Sequence, residues 1–396
     1  MTGHSRPPPT AARDGTGSGW GPVVPPCGLP SLALGVVTID LGALARNWRS
    51  LAALVAPAEC AAVVKADGYG LGAARIVPAL EAAGCRTFFV ATVDEAVACR
   101  RSAPGAMVLV LDGVAGADVL IAEDLVPVLA TDADIRAWSG ASAAAGRRLA
   151  AALHIDTGLN RLGLDVATPE RRRDVAARLA DIDVGLVMSH LACADEPGHA
   201  MNERQRAAFA ERRDTAPGAR ASLAASDGLM LGRAYHFDLV RPGYALYGGQ
   251  AFGGGRTPVE PVVAVAARIL QVSEIEAGAA VGYGATWIAP SRRRIATLAA
   301  GYADGLARHL SAPAGHSGGE VAVRGARCPI VGRVSMDLTT VDVTDVAGPP
   351  VESGEWAEIV GPTLTIEEVG QRAGSIGYEV LTRLSRRFHR LYRGQD

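Results

Sequence analysis

From residue 60 onward, short apolar or β-branched runs alternate with Ala/Arg/Glu-rich stretches of helical character. The runs are CAAVVKA (60–66), TFFVA (87–91), MVLVL (107–111), LVPVLA (125–130), AALHIDT (151–157), VGLVMSH (184–190), ARASLAAS (219–226) and FDLVRPG (237–243). Near-continuous apolar strands separated by helices indicate a parallel sheet covered on both faces. Eight of them close a (β/α)8 barrel, with a doubly wound open sheet as the alternative that the same pattern allows. After residue 258 the pattern changes to the alternating strands VVAVAARILQV, RRIATLAAG, EVAVRG and TTVDVTDV, broken by Gly and Pro. This predicts an α/β fold in which a (β/α)8 barrel over 35–258 is followed by a mostly antiparallel β domain over 259–396. The last segments, IEEVGQRAG and EVLTRLSRRFHRLY, read as two helix-like pieces or as a helix and a strand. Residues 1–34 read as a disordered Pro/Gly-rich tail without the apolar segment of a secretory signal.

Composition narrows the function. The 396 residues are 49% hydrophobic and 20% charged, enough for a large core, and no run of 18 apolar residues suggests a membrane span. A formal charge of −2 lacks the basic footprint that nucleic-acid or membrane-surface binding needs, which favours a small neutral or zwitterionic partner. The six cysteines form no CxxC pair, so neither a zinc ribbon nor a disulfide framework is expected, no metal is called for, and a reducing cytoplasm is the default. Of the 39 basic residues only Lys65 is a lysine. A guanidinium stays charged at any accessible pH, whereas a buried amine can lose its proton and become a base or a Schiff-base nucleophile.

In a barrel of this kind, polar residues at the C-terminal ends of the strands face the active site. Lys65, Asp156, Arg161, His190, Ser226 and Arg241 fall at or just beyond those ends. Lys65 closes the apolar run AAVVK and opens the Gly-rich turn ADGYG, where desolvation would depress its pKa and backbone amides could approach an anion.

The segment VVKADGYGLG resembles the signature of the alanine racemases. HIDTGLNRLGL, SHLACADE, LVRPGYALYGG, VGYGATW, GYADG, GRVSMDLTTVDVT and IGYEVLTRLSRR follow in that family's order, from about residue 35 to the end of the chain. The resemblance implies a pyridoxal 5'-phosphate (PLP) enzyme that interconverts L- and D-alanine and supplies D-alanine for peptidoglycan. In it, Lys65 would hold the cofactor covalently and act as base on one face of the substrate Cα. Tyr283, reaching in from the other subunit of a homodimer with composite sites, would be the base on the opposite face, because racemisation removes a proton from one side and returns it to the other.

Arg241 would face the pyridine nitrogen. His190 would support the ring, and Tyr69, Ser226, Gly243, Tyr244 and Tyr378 would hold the phosphate. Arg161, Tyr302 and Met336 would form the substrate side, the last two from the partner. The sequence departs from the family pattern at His154, where many members carry a carbamylated lysine, and at Leu71, Ala225 and Asp227. A chloride ion or Asp156 is the expected counter-charge for Arg161 in place of that carbamate. A broader-specificity racemase, a related barrel-fold decarboxylase and a non-catalytic PLP-binding protein are the competing readings.

Overall fold

The structure, a computed structural model, describes residues 33–250, 257–312 and 318–394. The tail read at 1–34 therefore lies outside the described residues up to position 32.

The described residues open with β1 (Gly35–Asp40) and α1 (Leu41–Val55), then β2 (Glu59–Cys60), β3 (Ala62–Val63), the short turn α2 (Lys65–Tyr69) and α3 (Ala73–Ala83). Five strand–helix units follow: β4 (Thr87–Val90) and α4 (Val93–Ser102), β5 (Met107–Val110) and α5 (Ala117–Ala122), β6 (Val126–Leu129) and α6 (Asp132–Ala145), β7 (Leu149–His154) and α7 (Pro169–Arg178), β8 (Ile182–Met188) and α8 (Ala200–Arg212). The barrel ends with β9 (Arg220–Ser222), α9 (Ser226–Leu229) and β10 (Leu239–Val240). Strands β3 to β9 form a parallel sheet in sequential order. β10 pairs in parallel with β2, and Arg241 N–H donates to Ala224 O on the other side (2.9 Å), so the ring closes. The first apolar run thus supplies both β2 and β3, one strand interrupted at Ala61, and the eight runs become an eight-stranded barrel. Its strands read as continuous apolar runs because both faces are covered: all four residues of β4 are buried. Side-chain caps start the helices at defined residues, as where Thr131 and Asp134 form a reciprocal capping box on α6.

The second layer is mostly antiparallel. β11 (Val263–Ile275) is its spine, followed by β12 (Ala280–Val281), β13 (Trp287–Ile288), β14 (Arg293–Leu298), β15 (Glu320–Val323), β16 (Ala326–Pro329), β17 (Thr339–Asp342) and β18 (Trp356–Val360). The chain ends with α10 (Ile366–Arg372), α11 (Gly377–Thr382) and β19 (His389–Arg393). The strand order is β16-β15-β18-β11-β1-β19, with β14 on the far half of β11 and β17 beside β14. β1 therefore belongs to this sheet, although it falls in the span 35–258 read as barrel. It lies antiparallel to β11 and parallel to β19. It has no helix-covered partner in the barrel, and its buried Val36, Val37 and Ile39 complete the core of the β domain instead. The closing stretch, open between helices and a strand in the sequence, contains both: α10 and α11, then β19.

Candidate active site

Lys65 stands where β3 leaves the barrel. The four residues after it, Ala66, Asp67, Gly68 and Tyr69, all take positive φ, between 55° and 63°. A left-handed turn costs about 1–2 kcal/mol for each L-residue and persists only where its surroundings over-determine it. Here the backbone is gripped at several points. Glu95 accepts from Ala66 N (2.6 Å) and Ala91 N (2.9 Å), and Asp67 accepts from Ala73 N (2.8 Å). Gly70 N donates to Ala66 O (2.7 Å) and Gly72 N to Asp67 O (2.8 Å). From the β domain, Arg390 donates to Gly70 O (2.8 Å) and Tyr392 to Leu71 O (2.8 Å). Gly68 is needed for space as well, since a Cβ there would lie 2.7 Å from Ile76 Cδ1. The half-buried Lys65 amine has its pKa lowered by burial first and then by the Arg161 guanidinium, with a further push from Arg241, against the opposing pull of Glu95 and Asp112. An amine moved this way is closer to the neutral, nucleophilic form.

Arg241, just past β10, is almost wholly buried. Its guanidinium donates to Ser222 Oγ (2.5 Å) and Ser189 O (2.6 Å), with longer contacts to Leu223 O and His190 Nδ1 (both 3.4 Å). All of these are neutral groups. Burial lowers its pKa to about 10, and among the described residues no carboxylate is paired with it. The group is still a cation at neutral pH. A buried charge without an opposite charge is expensive, which marks the pocket as one that receives electron-rich atoms from outside. Around it His190 is pushed down to about 3 and His154 to about 4, by burial first and by Arg241 next, so both rings are neutral.

Beside this cation lies a donor-rich cradle. Ser226 Oγ accepts from Gly243 N (3.1 Å) and Ala245 N (3.2 Å), which leaves its own proton to donate. Tyr69 Oη would be 2.2 Å from a Cβ on Gly243, so only glycine permits that approach. Tyr378 packs 6.1 Å from the Tyr69 ring and stacks on Tyr244 at 4.1 Å. Its hydroxyl donates to Asp227 Oδ2 at 3.4 Å. The Tyr244 side chain turns away to Glu367 (3.0 Å), so only its backbone faces the cradle. Hydroxyl and N–H donors on several elements suit a dianion such as a phosphate monoester.

Lys65, Arg161, His190 and Arg241 are thus brought together at the barrel mouth, with Tyr69, Ser226, Gly243, Tyr244 and Tyr378 alongside. Tyr283, Tyr302 and Met336 stand apart on the β domain, exposed by 72%, 43% and 54%. They share one face: Tyr302 N donates to Ser335 O and Ala303 N to Met336 O, while Gly332, next in the same segment, packs on Val281 O. Asp156 commits one oxygen to the N–H groups of Gly158, Leu159 and Asn160, and no ion pair joins it to Arg161 among the described residues. The sequence reading passed over Glu95, Ser189, Ser222, Arg390 and Tyr392. Only Ser189 lies in one of the quoted motifs, SHLACADE, and the fold carries all five to the site.

Two family models match: "Alanine racemase, N-terminal domain" over residues 39–251 and "Alanine racemase, C-terminal domain" over 262–392. The alanine racemase of Methylobacterium sp. (strain 4-46) is 49% identical over 360 residues, 90% of this chain and 97% of that protein. The biosynthetic alanine racemase of Agrobacterium fabrum is 44% identical over 364 residues, 90% of this chain and 93% of that protein. Among solved structures, alanine racemase from Bartonella henselae with covalently bound pyridoxal phosphate superposes with a TM-score of 0.85 at 38% identity, covering 91% of this chain and all of that one.

Proposed function

Since the chain belongs to the alanine racemase family, we propose that it is a PLP-dependent isomerase that interconverts L-alanine and D-alanine, with Lys65 holding the cofactor. The single observation that carries this reading is Arg241, a buried cation facing only neutral acceptors beside a donor-rich cradle. Those residues fit pyridoxal phosphate: Ser226, Tyr69, Tyr378 and the backbone of Gly243 and Tyr244 would hold the phosphate, Arg241 the ring nitrogen, and His190 the ring face.

Bound there, the cofactor supplies an electron sink for charge developing at the substrate Cα. Lys65 takes or returns the proton on one face. The partner's Tyr283 does so on the other, in a homodimer whose sites are completed by the partner's Tyr302 and Met336. Arg161 seats the substrate carboxylate and steadies the partner's Tyr283. Arg241, still protonated at neutral pH, donates hydrogen bonds without surrendering its proton, which restrains charge spreading into the ring and favours reprotonation at Cα. A decarboxylase of related fold would be expected to place an acid at that position, and Arg241 argues against it. Supply of D-alanine for peptidoglycan in the cytoplasm is the role that this activity fits.

The test is chemical. Borohydride treatment of the holoenzyme is expected to fix PLP on the peptide containing Lys65, and L-alanine is expected to yield D-alanine faster than L-serine or L-lysine yields its D-form. Lys65→Arg is expected to lose the covalent cofactor and more than about 10³ of the rate, since general-base catalysis alone is worth that order. PLP fixed elsewhere, or an active Lys65→Arg protein, refutes the assignment.

A further inference from the structure

We propose that Arg390 and Tyr392, on the last strand of the chain, are positioning residues for cofactor capture that hold the Lys65–Tyr69 turn in its left-handed form. The inference rests on Lys65 being the cofactor lysine.

The barrel's hydrogen bonds to the turn reach only its first half, through Glu95 at Ala66 N and Asp67 at Ala73 N, while Tyr69 at the far end is held by packing on Tyr247, 4.7 Å between ring centroids. The carbonyls of the second half, at Gly70 and Leu71, are taken by the β domain. One Arg390 guanidinium gathers Gly70 O, Leu384 O (3.1 Å) and Ser385 O (3.2 Å), tying the lysine turn to the segment after α11. The Tyr392 hydroxyl closes on Leu71 O so tightly that a Cβ on Gly72 would lie 2.1 Å from it. A Cβ on Gly70 would lie 2.8 Å from Leu381 O. The turn is therefore pressed on a surface made by α11 and β19, and β19 is itself held in register by β1, Thr38 opposite Leu391. Arg75 lies over the Tyr392 ring, 5.2 Å from its centroid, and fixes the ring from the α3 side.

A run of left-handed L-residues relaxes when its restraints are removed. Lys65 and Tyr69 stand at the two ends of the turn, where one would bond the cofactor and the other would hold its phosphate, so relaxation would misplace both together. Neither Arg390 nor Tyr392 touches a reacting atom.

The experiment compares apoenzymes of the wild type, Tyr392→Phe, Arg390→Gln and the double variant. Arg393→Gln is the control: it removes a β19 bond to Asp40 (2.9 Å) that does not reach the turn. PLP affinity is followed by the absorbance of the adduct, and backbone protection by hydrogen exchange. Each single variant is expected to bind PLP about five- to tenfold more weakly, as the loss of one good hydrogen bond implies, and the double variant more weakly still. Amides of residues 66–73 are expected to exchange faster while those of β5 stay protected. The pH midpoint of capture is expected to rise as Lys65 leaves the neighbourhood of Arg161 and Arg241.

A folded double variant with wild-type affinity, exchange and midpoint overturns the proposal. Should the double variant fail to fold, Tyr392→Phe decides on the same three readouts, since it keeps the ring and its contact with Arg75. Wild-type protein that forms no adduct at Lys65 overturns the reading of the site itself, whatever the exchange rates show.

Discussion

His154 closes β7 at a position where many relatives of this family carry a modified, anionic lysine, and it is a neutral imidazole. With Lys65 the only lysine in the sequence, no second side-chain amine is present to be carbamylated. Activity is therefore expected to be unchanged in CO2-depleted buffer, a result that restored bicarbonate leaves flat. Asp156 is occupied by its own loop, so Arg161 is expected to draw its counter-charge from solution. Replacing chloride by a bulky organic anion at constant ionic strength should lower the rate, and a flat response would return that role to Asp156. The buried histidines also set a pH dependence of stability. Their folded values, about 4 and about 3, lie below the unfolded value near 6.5. Between those limits the unfolded chain binds more protons, so stability is full above about pH 6.5 and is lost as pH falls toward 4, at up to about 1.4 kcal/mol per pH unit for each ring. His154→Gln is expected to remove about half of that slope in urea melts between pH 6.5 and 4.5, and an unchanged slope would refute the assignment.

At the scale of elements, what was legible follows from which physical signals are local. The barrel strands announce themselves because burial on both faces leaves no alternation, and β17 because its buried and half-buried positions alternate. The glycines of ADGYGLG mark a turn, and Asp67 tolerates the left-handed region, yet nothing in Ala66 or Tyr69 favours positive φ. The left-handed run is imposed by Glu95 and by β19, far away in sequence. Likewise β1 resembles any apolar strand, and its assignment to the second sheet depends on partners more than 200 residues away. Gly243 shows how an element-level constraint becomes functional. Its φ of −125° is open to any residue, so its role is close approach rather than backbone freedom. Gly243→Ala puts a methyl where Tyr69 Oη stands. It is expected to weaken PLP binding at least tenfold and to cost the apoenzyme about 1–3 kcal/mol by overpacking. PLP titration and urea unfolding measure the two effects separately, and wild-type affinity would remove Tyr69 from the cradle.

For the whole molecule, the exposed face that carries Tyr283, Tyr302 and Met336 leads to a complementation experiment. On the proposed homodimer with composite sites, the Lys65→Ala and Tyr283→Ala variants are each expected to be inactive. Mixing them is expected to recover up to about a quarter of wild-type activity once subunits exchange, because random pairing makes half of the molecules heterodimers with one intact site of two. No recovery after confirmed exchange would place both bases within one chain. The site's lysine turn and the last strand are already joined inside each subunit, and the route of the chain adds a constraint of timing. β1 precedes the barrel, whereas its neighbour β11 follows the barrel and β19 follows all the other described elements. At ribosomal rates of about 5–20 residues per second, the roughly 230 residues between β1 and its partner on β11 take on the order of 10–50 s to emerge. Through that interval Val36, Val37 and Ile39, fully buried at the end, have no sheet to join. The barrel strands are complete well before β19 is made, so the clamp on the lysine turn waits for Arg390 and Tyr392. A polypeptide truncated before Arg390 would keep every barrel strand and lose the strand that grips the lysine turn.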